Sequence, residues 1–85
     1  MNKDINNTEW IKSREDFVLF VEILSKNYTE NKIEWENDTL ETYLETMCGY
    51  AKDVNGYYKN TNQGNADVPT WKLFADIMLG AKIYE

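Results

Sequence analysis

Eighty-five residues allow one small domain, with a single core that buries only about two-thirds of the unfolded surface. The formal charge of −6 and the lack of any basic stripe argue against nucleic-acid binding, which rests on Lys and Arg neutralising phosphates. The chain contains no histidine, which removes His-based acid–base catalysis, Ser-His and Cys-His nucleophile pairs, and most zinc and haem sites.

Cys48 is the only cysteine, so no intrachain disulfide can form and a reducing compartment is expected. The Asn-rich N-terminus has neither the basic nor the apolar region of a secretion signal. No apolar run reaches the eighteen or so residues that span a bilayer. The expectation is a soluble, cytoplasmic chain with no membrane partner. Three Trp, six Tyr and three Phe compensate for its length, since each buried ring removes roughly 150–250 Å² from water.

In chain order, residues 1–12 carry no helical period and read as a partly ordered tail, with Trp10 and Ile11 apolar enough to lie over the domain. Ser13-Arg14-Glu15-Asp16 is a side-chain cap followed by first-turn acids, and Phe17, Phe20, Val21, Leu24 and Tyr28 follow at helical spacing. This predicts a helix over about 14–27. From Thr29 to Asp38 the period lapses, leaving Ile33 and Trp35 as plugs and the possibility of a short extra turn near Glu30 to Trp35 or at Tyr57.

Asn37-Asp38-Thr39 offers several caps for a second helix over about 39–55, with Leu40, Tyr43, Leu44, Met47, Ala51 and Val54 as its apolar stripe. Asn55-Gly56 supplies a left-handed residue to close it. Cys48, on the edge of that stripe, reads as a small buried hydrophobe. Residues 59–69 are rich in Asn, Thr, Gln, Gly and Asp and predict a surface loop. Pro69-Thr70 introduces a third helix over about 70–83, apolar round more than half its circumference and therefore sandwiched by the other two. Trp71 and Phe74 belong to its core side, and Asp76, which interrupts the apolar run, is expected at the surface beside Lys72. Gly80 within that helix marks a close approach or a frayed end. The expected fold is an all-α bundle of three main helices in a single domain spanning 1–85.

The charge is segregated. Thr29 to Thr46 holds Glu30, Glu34, Glu36, Asp38, Glu41 and Glu45 against Lys32 alone, a balance of −5 out of −6. Glu41 and Glu45 lie one turn apart, opposite the apolar stripe. Such acids form either a solvated face favoured near a helix N-terminus or a patch that steers a basic partner, the second needing exposed aromatic anchors close by. The candidate protein-binding residues are therefore Glu34, Trp35, Glu36, Glu41 and Glu45, with Tyr57 and Tyr58 after the second helix. Self-association through Trp10, Trp35 or the third helix is a further use of these aromatics.

Other constellations carry less. Asp53-Val54-Asn55-Gly56 suggests part of a calcium loop, but with Gly56 at the invariant glycine the first and twelfth ligands fall on Ala51 and Asn62. Gly49, Gly56, Gly64 and Gly80 have no phosphate-loop spacing. Paired carboxylates would need a pocket that separates two pKa values, which nothing in the sequence predicts, so a carboxylate enzyme is the least favoured reading. No catalytic residue, metal ligand or cofactor is assigned.

Four landmarks give a resemblance: Ser13-Arg14-Glu15-Asp16-Phe17; the run from Trp35 to Glu45; Asp53-Val54-Asn55-Gly56-Tyr57-Tyr58; and Pro69 to Asp76 closing with Ala81-Lys82-Ile83-Tyr84-Glu85. In this order they resemble a family of small uncharacterised bacterial proteins, a domain of unknown function. The resemblance implies a stand-alone bacterial domain and no particular activity. The size, acidity and Tyr57-Tyr58 pair are also similar to bacteriocin immunity proteins, although Lys59 follows the pair here where they have a proline. The preferred function is a non-catalytic interaction module whose acidic surface (residues 30–45) and neighbouring aromatics contact a protein partner, a basic one being compatible with the charge. The alternative is an immunity-type protein that neutralises a basic toxin.

Overall fold

Three hydroxyl caps set the helices. In the computed structural model, which describes residues 5–84, Ser13 Oγ accepts from the Asp16 amide, Thr39 Oγ1 from Thr42 and Thr70 Oγ1 from Leu73. Each satisfies an amide that a first turn leaves free. The helices are α1 (Arg14–Glu30), α2 (Leu40–Asn60) and α3 (Trp71–Ile83), and a 3-10 turn, Lys32–Glu34, lies between the first two. The protein is thus a small all-helical bundle, with no strand among the described residues. No helix among them is long and apolar enough to cross a membrane. Of the expected tail, residues 1–4 lie outside the described residues, as does Glu85. Residues 5–12 lie against the bundle, with Thr8 and Ile11 buried.

α3 packs against both α1 and α2, which among the described residues do not pack on each other. The core divides accordingly. Phe20 and Leu24 of α1 cluster with Ile11, Trp35 and Ala75, while Val54 and Tyr58 of α2 cluster with Leu73 of α3. The sandwiched third helix read from the apolar pattern is therefore the observed one.

Several local expectations change. α2 does not close at Gly56 but continues to Asn60, and the left-handed residue after it is Asn62, at φ 57°. A glycine inside a helix costs about 1 kcal/mol, whereas burying a large side chain returns about 1.5–3 kcal/mol. Tyr58, one turn after Val54 on the same face and 5% exposed, decides the balance. The loop is correspondingly shorter than 59–69 at its start.

With only one helix as its partner, α2 buries a narrower stripe than its apolar pattern offers. Val54 and Tyr58 are buried in the α2–α3 cluster and Tyr50 packs against it, whereas Leu40, Leu44 and Cys48 are exposed instead of buried. Ile33, expected as a plug, stands 97% exposed on the 3-10 turn. Trp71 and Phe74 are only partly covered, their rings gathered with Phe17 at centroid distances of 5.5–6.3 Å.

Gly80 marks a close approach. A Cβ at this position would lie 2.5 Å from the ring of Tyr50, which reaches across from α2 and meets Tyr84 edge to face. Gly80→Ala should therefore destabilise the fold by about 1–3 kcal/mol despite its better helix propensity. In a Tyr50→Ala background the same substitution should become stabilising, by up to about 1 kcal/mol. Urea unfolding of the four proteins in this cycle measures both values.

Candidate functional site

The segment joining α1 to α2 is built across the C-terminal end of α3. Asn37 Nδ2 donates to the carbonyls of Ala81 at 3.0 Å and Tyr84 at 2.9 Å, and the Asn37 amide donates to Lys82 O at 3.2 Å. These are carbonyls that a helix end leaves free, so one carboxamide caps α3 and fixes the loop. The neighbouring Trp35 turns inward, its Nε1–H donating to Asn27 Oδ1 at 2.8 Å. Its ring meets Tyr28 edge to face at 5.0 Å and Tyr43 at 5.7 Å.

These rings shape a cleft of about 250 Å³ whose walls include Tyr28, Leu40 and Tyr43, with Trp35 at its floor and Asp38 beside it. Both tyrosines are tied to the backbone, Tyr28 Oη donating to Asp38 O at 2.5 Å and Tyr43 Oη to Met78 O at 2.8 Å. Burial pushes the Tyr43 phenol up to about 12. Lys82, itself buried, places its ammonium 5.6 Å from the Trp35 ring centre and 4.0 Å from Glu34.

The structure places Glu34, Glu36, Glu41 and Glu45 at the surface. Glu36 follows Trp35 in the chain and Glu41 follows Leu40, but neither acid lines the cleft, and Glu41 points away from the helix face that carries Leu40 and Tyr43. Trp35 is 9% exposed and acts as a floor, not as a protruding anchor. The tyrosine pair is not part of this site, since Tyr57 lies sixteen residues after Glu41, about 24 Å along α2. Tyr57 is half exposed, but Tyr58 is buried, so the two do not present a common surface. Tyr28, Asp38 and Tyr43 were not singled out by sequence as site residues. Their only signal was that aromatic side chains sit close to both ends of the acidic loop.

Tyr58 belongs to a second constellation, around Asp76. This residue is buried at 9% exposure, contrary to the surface position expected for it, although its pairing with Lys72 holds. Oδ1 accepts from Thr8 Oγ1 at 2.5 Å, while Oδ2 accepts from Tyr58 Oη and from Lys72 Nζ at 2.9 Å. Lys72 also donates to Gln63 Oε1 and lies 3.8 Å from Glu9. Burial first, and then the hydrogen bond to Asp76, hold the Tyr58 phenol well above its ordinary value. Tyr50 is pushed up to about 12, by burial first and then by the nearby charge of Asp76.

Two larger hollows, of about 800 and 870 Å³, flank this network and share Glu9, Gln63 and Lys72. They bring two carboxylates, Glu9 and Asp76, to either side of one ammonium. Both Asp76 oxygens are already occupied by internal donors, and an oxygen so engaged serves as a structural tie before it serves as an acid or base. The aromatic cleft, smaller but on the segment that carries the exposed acids, is the better candidate for contact with a partner.

A family model of unknown function, DUF7660, matches residues 13–85, nearly everything after the tail. The chain belongs to this family. No curated protein and no solved structure matches it. The DUF7660 match covers both the acidic loop with its cleft and the Asp76 network, apart from the tail residues Thr8 and Glu9.

Removing the carboxylate in Asp76→Ala leaves Lys72 and the Tyr58 hydroxyl without their buried partner and should cost about 2–4 kcal/mol in urea unfolding. A pH dependence follows from the phenols. Tyrosine in the unfolded chain titrates near 10, whereas folded Tyr43 and Tyr50 titrate at about 12. Their contribution is complete below pH ~10, falls between ~10 and ~12 as only the unfolded chain releases protons, and is gone above that. Urea midpoints should decline from pH 9 to 11.5, and less steeply in Tyr43→Phe and Tyr50→Phe.

Proposed function

We propose that this protein is a non-catalytic interaction module that binds a basic protein through the acidic surface between Glu34 and Glu45. The observation that carries this reading is an open apolar cleft on the same segment of the chain that holds those exposed acids. Exposed carboxylates alone bring a cationic partner near, but screening limits them to about 8 Å at physiological salt, and bound lifetime depends on desolvated contacts. Tyr28, Leu40 and Tyr43 offer an apolar surface of that kind on the segment that carries Glu36, Asp38 and Glu41. The family match spans this surface and is silent on activity. The immunity-type reading drew on a displayed tyrosine pair, and with Tyr58 buried only Tyr57 is available to it.

The triple variant Glu36→Lys, Glu41→Lys, Glu45→Lys tests the reading, since all three side chains are exposed; Glu41 is the first-turn acid of α2, so circular dichroism should first show that the variant keeps its helices. In affinity capture, the wild-type protein should retain a basic partner about tenfold less well at moderate than at low salt. The triple variant should retain none. Equal retention by the two proteins at every salt concentration would overturn the proposal.

A further inference from the structure

Among the described helices α2 packs on α3 alone, and one long side of it is left uncovered. Steps of about 100° per residue place Leu40, Leu44, Cys48 and Ala51 within about 80° of one another on that side. All four are exposed, Leu40 at 73% and Leu44 at 52%. An apolar strip of this length facing water marks an interaction face.

The charges beside the strip select its occupant. Glu41, Glu45, Lys52 and Lys59 follow one another along the flank next to Cys48, acids in the first half of the helix and lysines in the second. All four are exposed, and among the described residues none of them makes an ion pair. Glu41 and Glu45, one turn apart, repel each other within the single helix. A second α2 laid antiparallel about a two-fold axis near Cys48 brings the same flank of both helices together with its order reversed. Glu45 of each copy then meets Lys52 of the other, Glu41 lies toward Lys59, and Leu44 packs beside Ala51. A parallel pair would put the two flanks on opposite sides and leave their charges unanswered. We infer that two copies of this chain pair in the antiparallel way, through the open face of α2. Glu34, Glu36 and Asp38 precede α2 and take no part, so the inference goes beyond the acidic-surface reading and does not need it.

One helix pair lies at or below the ~1,200 Å² that marks the small end of specific interfaces, so the dimer should exchange with monomer at roughly 10–100 µM. Sedimentation velocity of the whole chain between about 5 and 500 µM should show the mass rise toward two chains. Glu45→Lys and Lys52→Glu each set like charges opposite one another at two symmetry-related places, and each should weaken the dimer about tenfold. An equimolar mixture of these two variants should recover it, because each supplies the charge that the other lacks. A short bismaleimide should link two wild-type chains through Cys48. Leu44→Lys, at an exposed position and with its helices checked by circular dichroism, should abolish both the dimer and the link.

A wild-type chain that stays monomeric at every concentration, a dimer that survives Leu44→Lys, or a mixture of the two charge variants that fails to recover the dimer would overturn the inference. If the wild type is monomeric and Leu44→Lys releases a captured basic partner, the face belongs to that partner and the dimer falls. Lys52→Glu keeps every acid between residues 30 and 45, so capture of a basic partner by this variant reports on the acidic-surface reading whatever becomes of the dimer.

Discussion

A single buried carboxylate joins parts of the chain that share little else. Asp76 receives a hydroxyl from the N-terminal segment, a phenol from α2 and an ammonium from its own helix, and that ammonium in turn reaches Gln63 in the loop after α2. A buried charge is tolerated only when its hydrogen-bonding capacity is filled, so each donor holds its segment in register with the rest. For a chain with so small a core, this constraint does what a disulfide does in secreted domains of similar size. It orients α2 on α3, and through Thr8 it keeps the segment containing Ile11 against α1.

From that orientation the position of the cleft follows. α1 and α2 meet through α3 and not directly, so the connection between them must pass over the end of α3. Asn37 secures the passage by capping α3, and Trp35 fills the angle between the helices. The cleft is what remains at the surface between Tyr28, in the last turn of α1, and Leu40, at the start of α2. It is therefore a product of the packing, held by backbone hydrogen bonds on both tyrosines.

The helices were legible because capping and periodicity are local. Ser13, Thr39 and Thr70 each cap the helix that sequence placed after them. What sequence could not supply was the number of neighbours each helix has. Leu40 and Leu44 fall on α2's apolar stripe, and only the absence of a second partner exposes them. Gly56 looked like a stop because its local preference is clear, while the burial of Tyr58 that carries the helix past it is a long-range effect. Asp76 looked like a surface acid because its i−4 partner Lys72 was visible in the sequence, and Thr8, sixty-eight residues away, was not. Among the candidate residues, the exposed acids could be read from the chain; the division of Trp35, Tyr57 and Tyr58 into floor, surface and core could not.

Helix chemistry explains only a fraction of the acidic loop. A helix N-terminus favours negative charge over its first turn, and in α2 that turn holds Glu41 alone. The cap is Thr39, so Asp38 is not needed for it; Glu45 lies beyond the first turn, and Glu36 precedes the helix. Glu34 faces the buried ammonium of Lys82 at 4.0 Å and is accounted for by that pairing. Like charges crowded into one segment repel each other and weaken the fold slightly. Under the proposal a cationic partner supplies the opposite charge for this segment, which a solvated helix face alone does not require.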